Sequence, residues 1–275
     1  MNARIAWGPV LVRAADIVDD YDTLVTLRQL FYRLVSEQVI PNQQCAYKTL
    51  SDRTAAARRA GDFPELTDRG RRIHRDAFWG SPQVVLDAVA QQYRRDRTEG
   101  QPWSIYLAVE KAGIVEQLSA WFGERGVPIL ALGGYASQSY VDDVVRDVAA
   151  AERPAVLLYG GDHDASGEDI DRDFAERTDC WDKVVRVALT ATQVRHYGLV
   201  PNPGKVLDPR KEAFAERHGS NIQVELDALD PNVLKQLYAE AIDGFWDTSA
   251  YEAVLAEEAN ERAELLDLAR HWGAL

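Results

Sequence analysis

Between residues 100 and 200 the apolar positions alternate between two patterns. Three short continuous runs, Ile105 to Val109, Ile129 to Leu132 and Ala155 to Tyr159, have the length of buried strands, and Val184 to Leu189, interrupted by Arg186, looks like a fourth. Between the first two, Ile114, Val115, Leu118, Trp121 and Phe122 repeat with helical spacing, and Ser137 to Val148 reads as a second helix. Another helical stretch follows Gly167, and Thr192 to Tyr197 reads as a short helix. Strands that alternate with helices predict right-handed crossovers and a parallel sheet.

The first hundred residues carry a different pattern. Pro9 to Val18 is apolar with helical spacing, and Leu24, Leu27, Leu30, Phe31, Leu34 and Val35 form the stripe of a second helix, which Thr23 or Thr26 would cap. Ile40-Pro41-Asn42 breaks the chain. Tyr47 to Ala60 resumes helical character, with Arg53, Arg58 and Arg59 on its outer face. Beyond Gly61, the segment Asp68-Arg69-Gly70-Arg71-Arg72 would serve as a wing. Helix, helix, basic helix and basic wing describe a winged helix-turn-helix of the CAP-like kind. The predicted fold is thus α+β, with a winged helix-turn-helix over residues 1–100 and an α/β domain over 101–275. In the latter, Glu225 to Leu229 reads as a strand end before a helix bearing Leu234, Leu237, Ala241 and Ile242. Trp246 to Trp272 reads as an acidic helical tail for packing or dimer contact, with Tyr251, Val254, Leu255, Leu265, Leu266 and Leu268 as its apolar residues.

A length of 275 residues, with 46% hydrophobic and 27% charged, suits two soluble globular domains. No apolar run approaches a membrane span and no signal-peptide pattern opens the chain. Two cysteines, Cys45 and Cys180, argue against a disulfide scaffold and for the cytoplasm. The net charge of −13 is unevenly spread: residues 1–100 hold 15 Lys+Arg against 13 Asp+Glu, the rest 16 against 31. From Arg53 to Arg75 seven arginines face only Asp62, Glu65 and Asp68, a basic patch able to track phosphates despite the acidic total.

Chemistry concentrates where the strands end. Glu110 closes the first run in Val109-Glu110-Lys111, Gly133-Gly134-Tyr135 closes the second, and Asp162-His163-Asp164 closes the third. A parallel sheet places ligands at this carboxyl edge. Glu110, Asp162 and Asp164 are hard oxygen donors with no cysteine among them, which suits Mg²⁺, or Mn²⁺ in its place, rather than zinc. His163, between the two aspartates, should point away from them if the segment is extended. Lys111 and Lys205, the latter in Pro201-Asn202-Pro203-Gly204-Lys205, are candidates to contact phosphate.

The ordered set of Glu110, Gly134 and Asp162/Asp164 resembles a Toprim domain, the metal-binding module of topoisomerases, primases and some nucleases. Gly134-Tyr135-Ala136-Ser137 and Asp162-His163-Asp164-Ala165-Ser166-Gly167 are most similar to the A subunit of topoisomerase VI and its meiotic break-forming relatives, in a compact stand-alone form. Thr26-Leu27-Arg28-Gln29-Leu30-Phe31-Tyr32 resembles the segment around the DNA-cleaving tyrosine of that family, although Gln29 stands where the family commonly has an acid. Arg28 and Tyr32, four apart, share a helix face.

The resemblance implies that Tyr32 attacks a phosphodiester of double-stranded DNA and becomes linked to the 5′ phosphate, with Arg28 beside it and Glu110, Asp162 and Asp164 holding Mg²⁺. It also implies a homodimer in which the tyrosine of one protomer meets the metal site of the other; no phosphate loop occurs here, so an ATPase, where one takes part, would be a separately encoded partner. Arg53, Arg58, Arg59, Arg69, Arg71, Arg72, Lys111 and Lys205 would bind the DNA. Two alternatives stand beside this: a Toprim nuclease that hydrolyses DNA without Tyr32, and a non-catalytic DNA-binding protein.

Overall fold

The structure is a computed structural model, and it describes residues 5–67, 76–201, 211–219 and 223–272. The expected wing with Arg69, Arg71 and Arg72, and the loop carrying Lys205, lie outside the described residues.

Four helices come first: α1 (Trp7–Asp19), α2 (Leu27–Ser36), α3 (Gln44–Ala60) and α4 (Pro82–Gln92). Among the described residues this part of the chain contains no strand, only an isolated bridge between Thr26 and Thr67. Then β1 (Ser104–Val109), α5 (Ala112–Phe122), β2 (Ile129–Ala131), α6 (Gln138–Ala150), β3 (Ala155–Gly160), α7 (Ala165–Thr178) and β4 (Lys183–Ala188) alternate. After them come α8 (Ala191–His196), α9 (Lys211–His218), α10 (Pro231–Asp243) and α11 (Thr248–His271). The fold is α+β around a four-stranded, all-parallel sheet in the order β2-β1-β3-β4. No helix among the described residues is long and apolar enough to cross a membrane.

The strand alternation divides the core. Ile105, Leu107, Val109, Val156 and Leu158 face a cluster with Ile114 and Leu118 of α5, Tyr238 and Ile242 of α10, and Leu30 and Leu34 of α2. Tyr106, Ala108, Leu157 and Tyr159 face the opposite way, against Val141 and Val144 of α6 and Ile170 and Phe174 of α7. Burial on both faces requires such continuous apolar strands. From β1 the chain crosses to one side over α5, then returns past β1 to β3, so the order reverses between β1 and β3. Ligands of open α/β sheets bind at such a reversal, outside the carboxyl ends of the strands.

Three segments depart from the sequence expectation. Leu226–Ala228 is a 3-10 turn rather than a strand end, so the backbone carrying Glu225 and Asp227 curls across the sheet edge and pairs with α2. Helix α4, opened by the Ser81 cap and Pro82, has a weak apolar stripe of its own and is held by α11, where the Gln83 side chain donates to the Ala269 carbonyl at 2.7 Å. Leu268 is 52% exposed, because Val254, Glu258 and Ala269 form the buried side of α11 instead.

Candidate active site

Glu110 follows the last residue of β1, and its backbone is pinned on both sides: its N–H donates to the Gly160 carbonyl at 3.0 Å and its carbonyl accepts from Gly133 at 2.8 Å. These bonds join the ends of β1, β2 and β3. Gly133 and Gly134 turn there with φ of 62° and 106°, a left-handed backbone that glycine adopts without a side-chain clash. A cleft of about 320 Å³ opens between Glu110, Lys111, Ala112, Gly113, Gly133 and Gly134.

Asp162 and Asp164 leave β3 toward the same edge. The Glu110 carboxylate accepts the Asp162 N–H at 3.0 Å, so the first and third signatures touch. Asp162 is 8% exposed, and its Oδ1 accepts the Leu226 N–H at 2.8 Å. Asp164 is the N-cap of α7, its Oδ1 accepting the Gly167 N–H at 2.7 Å. Arg186, a charge in the middle of β4, supports the loop: it donates to the Asp162 carbonyl at 2.6 Å, the Leu189 carbonyl at 3.0 Å and Asp171 at 2.8 Å. His163 turns into the protein, 2% exposed, against the rings of Phe214 and His218 at 5.0 Å each.

Gly167 lets α7 start close to this loop. A Cβ there would lie 2.3 Å from the Asp162 carbonyl oxygen, a backbone atom that cannot swing aside. Gly167→Ala is expected to cost about 1–3 kcal/mol through overpacking, read as a lower melting temperature; an unchanged melt would show that the loop relaxes freely.

Two acids that the sequence reading left in a strand end complete the cluster. Lys111 Nζ stands 2.9 Å from Asp162 Oδ1, 3.0 Å from Glu225 Oε2 and 3.3 Å from Asp227 Oδ2. Arg28 reaches the same pair, contacting Glu225 directly and Asp227 at 3.5 Å. Five carboxylates, Glu110, Asp162, Asp164, Glu225 and Asp227, thus share one edge with two cations. Burial raises the pKa of Glu110, and the neighbouring Asp162 charge raises it further. Burial likewise raises Asp162, while Lys111 pulls it back. For Glu225 burial acts upward, but Lys111 and Arg28 together outweigh it and hold the group below its ordinary value. Burial acts to lower the Lys111 pKa, and the charges of Asp227, Asp162 and Glu225 override it.

Arg28 also ties in Tyr32. Its guanidinium lies 5.9 Å from the Tyr32 ring centroid, as their helical spacing predicts. Tyr32 itself is 8% exposed and packs edge-on against Phe31 at 5.4 Å. Gln29, at the family's acidic position, uses both ends of its amide: the oxygen accepts the Thr26 N–H at 2.8 Å, completing a capping box, and the nitrogen donates to Gln117 of α5 at 2.6 Å. An acid there could cap but could not donate. This buried bond holds α2 against the sheet domain.

Of the proposed DNA contacts, Arg53, Arg58 and Arg59 are exposed along α3. Lys111 is not: its side chain is 16% exposed and closed on carboxylates, so in this arrangement it does not present a charge to a phosphate. No family model matches the chain, and no curated protein matches it.

Among the described residues no three His, Cys, Asp or Glu side chains converge closely enough to hold a metal as they stand. Lys111 supplies a cation among Asp162, Glu225 and Asp227 instead. The donors around it are all carboxylate oxygens, the set that a hard divalent cation takes. Of the expected ligands Glu110, Asp162 and Asp164, only Asp162 touches this stand-in charge; all three share the hard carboxylate-oxygen chemistry that Mg²⁺ or Mn²⁺ takes. Arg186 was legible as a charge inside an apolar strand, and Glu225-x-Asp227 as a second acid pair; only folding brings them to this edge.

Proposed function

We propose that this protein cleaves double-stranded DNA in a metal-dependent reaction of the topoisomerase VI A-subunit type, with a winged-helix part and a Toprim part. The observation that carries it is Arg28, whose guanidinium contacts both the Tyr32 ring and the acids at the sheet reversal. Within one chain Arg28 thus ties the helix that carries Tyr32 to the acidic cluster, and in the proposed homodimer Tyr32 would act at the metal site of the other protomer. In this reading Tyr32 Oη gives up its proton and forms a bond to phosphorus, the phosphorus–O3′ bond breaks, and the 3′ oxygen leaves as a hydroxyl. Arg28 lowers the cost of charge on the tyrosine oxygen. Glu110, Asp162 and Asp164 would hold Mg²⁺, which when bound supplies Lewis-acid stabilisation of charge on the phosphate oxygens. Arg53, Arg58 and Arg59 on α3 would follow the phosphate backbone, giving affinity without sequence information. A homodimer and a separate ATPase subunit belong to the same proposal.

The burial of Tyr32 favours a second reading, in which water replaces the tyrosine and the enzyme is a Toprim hydrolase. Supercoiled plasmid with Mg²⁺ or Mn²⁺, resolved with and without protease, separates them. Transesterification predicts protein on the 5′ ends and a loss of cutting in Tyr32→Phe of more than about 10³-fold. Free ends with Tyr32→Phe fully active would establish hydrolysis. A wild-type protein that binds the plasmid without cutting it would leave a DNA-binding role.

A further inference from the structure

We infer that Lys111 is the resident counter-ion of the acidic cluster, and that a divalent cation entering beside Glu110 and Asp162 displaces its ammonium from Asp162 into the adjoining cleft. The inference rests on the metal reading above. Lys111 Nζ is within 3.3 Å of carboxylate oxygens from three residues, Asp162, Glu225 and Asp227, and only Asp162 belongs to the set expected to hold metal. A divalent cation bound by Asp162 would share that carboxylate with an ammonium 2.9 Å away, and two cations at such separation repel strongly in a buried site.

Displacement has a route. The Lys111 backbone is fixed as the N-cap of α5, but its four-carbon stem is flexible, and the cleft of about 320 Å³ is lined by Lys111 itself with Gly113, Gly133 and Gly134. The acids left behind are not stranded, because Arg28 already contacts both Glu225 and Asp227. Lys111 would then stand in the open cleft beside Glu110, where an anionic ligand could meet it. Its closure on the carboxylates and its expected approach to phosphate become two positions of one side chain.

Calorimetric titration of the full chain with Mn²⁺, without DNA, tests this. Lys111→Met removes the competing charge and is expected to bind Mn²⁺ roughly tenfold tighter than wild type. Equal or weaker binding by a variant with the wild-type circular dichroism spectrum would overturn the inference and make Lys111 a structural ion pair only. Should Lys111→Met fail to fold, amine-reactive labelling of the wild type gives the answer. Saturating Mn²⁺ should speed modification of Lys111 several-fold while Lys48 and Lys235 serve as unchanged references, and an unchanged Lys111 rate overturns the proposal. Wild-type protein that takes up no Mn²⁺ would remove the metal reading together with this one; Mn²⁺ uptake without either Lys111 response would remove this one alone.

Discussion

Asp162→Asn is expected to cut plasmid at least about 100-fold more slowly than wild type while folding normally. The asparagine oxygen can still accept the Leu226 N–H that Asp162 Oδ1 accepts at 2.8 Å, so the turn carrying Glu225 and Asp227 stays in place. What is lost is a charge. Lys111 keeps Glu225 and Asp227 as partners, and Glu110 loses the neighbour that, after burial, does most to raise its pKa.

The stability consequence follows from the sign of those shifts. A carboxyl whose folded pKa is raised is favoured in the fold below its unfolded pKa, and that advantage is lost as pH climbs through the folded value. Glu110 and Asp162 are both raised, so at neutral pH their paired ionisation works against the fold. Asp162→Asn should therefore melt at or above the wild-type temperature at pH 7.5. Such an exchange of stability for activity is common at functional sites. Asp162→Ala would differ, since it orphans the Leu226 N–H at a cost of about 1–3 kcal/mol. Cutting by Asp162→Asn within tenfold of wild type would remove Asp162 from the chemistry.

Arg97→Ala should produce the largest loss of stability, about 3 kcal/mol, or a fall in melting temperature of about 6–12 °C for a chain of this size. Arg97 and Glu258 are both buried, with side-chain exposures of 7% and 2%. Arg97 Nε and Nη2 donate to the two Glu258 oxygens at 3.0 and 2.7 Å, and Nη1 donates to the Glu124 carbonyl at 2.8 Å. That fork ties α11 to the turn after α5. Removing it leaves a buried carboxylate with, among the described residues, only Arg262 and the Arg95 N–H, which costs more than the intact pair contributes.

The same pair sets part of the acid limb. Hydrogen bonding from Arg97 outweighs burial and draws the Glu258 pKa from its ordinary 4.5 to about 2. Its stabilisation is present above 4.5 and disappears as pH falls toward 2. The wild-type melting temperature should fall through that window more steeply than that of Arg97→Ala. Parallel acid limbs, or a melt of the variant within 2 °C of wild type at neutral pH, would show that α11 is held by its apolar contacts instead.

Much of the architecture was legible because local pattern and burial agree. Runs such as Ile105 to Val109 and Ala155 to Tyr159 are apolar throughout, as strands covered on both faces must be, and they became β1 and β3. The helical spacing in Ile114 to Phe122 and Ser137 to Val148 likewise became α5 and α6, with shifts of one or two residues at the ends. The Thr26 cap was also readable, since Thr followed three residues later by Gln is a local motif. So was the arrival of Glu110 and Asp162 at one edge, because parallel strands with crossover helices all end on the same side.

Tertiary structure alone decided the rest. Leu226–Ala228 could be read as extended because its period is too short to separate a strand from a 3-10 turn, and its position across the sheet edge depends on bonds to Asp162 and His163 sixty residues away. The pairing of Arg28 with Glu225 spans nearly two hundred residues, and no local rule couples them. Lys111 looked like a solvated or phosphate-facing lysine because sequence shows a charge and not its surroundings. Three carboxylates contributed by two distant segments turned it inward, and that arrangement of charges, set by the packing of α2 and the 3-10 turn against the sheet, gives the edge its chemistry.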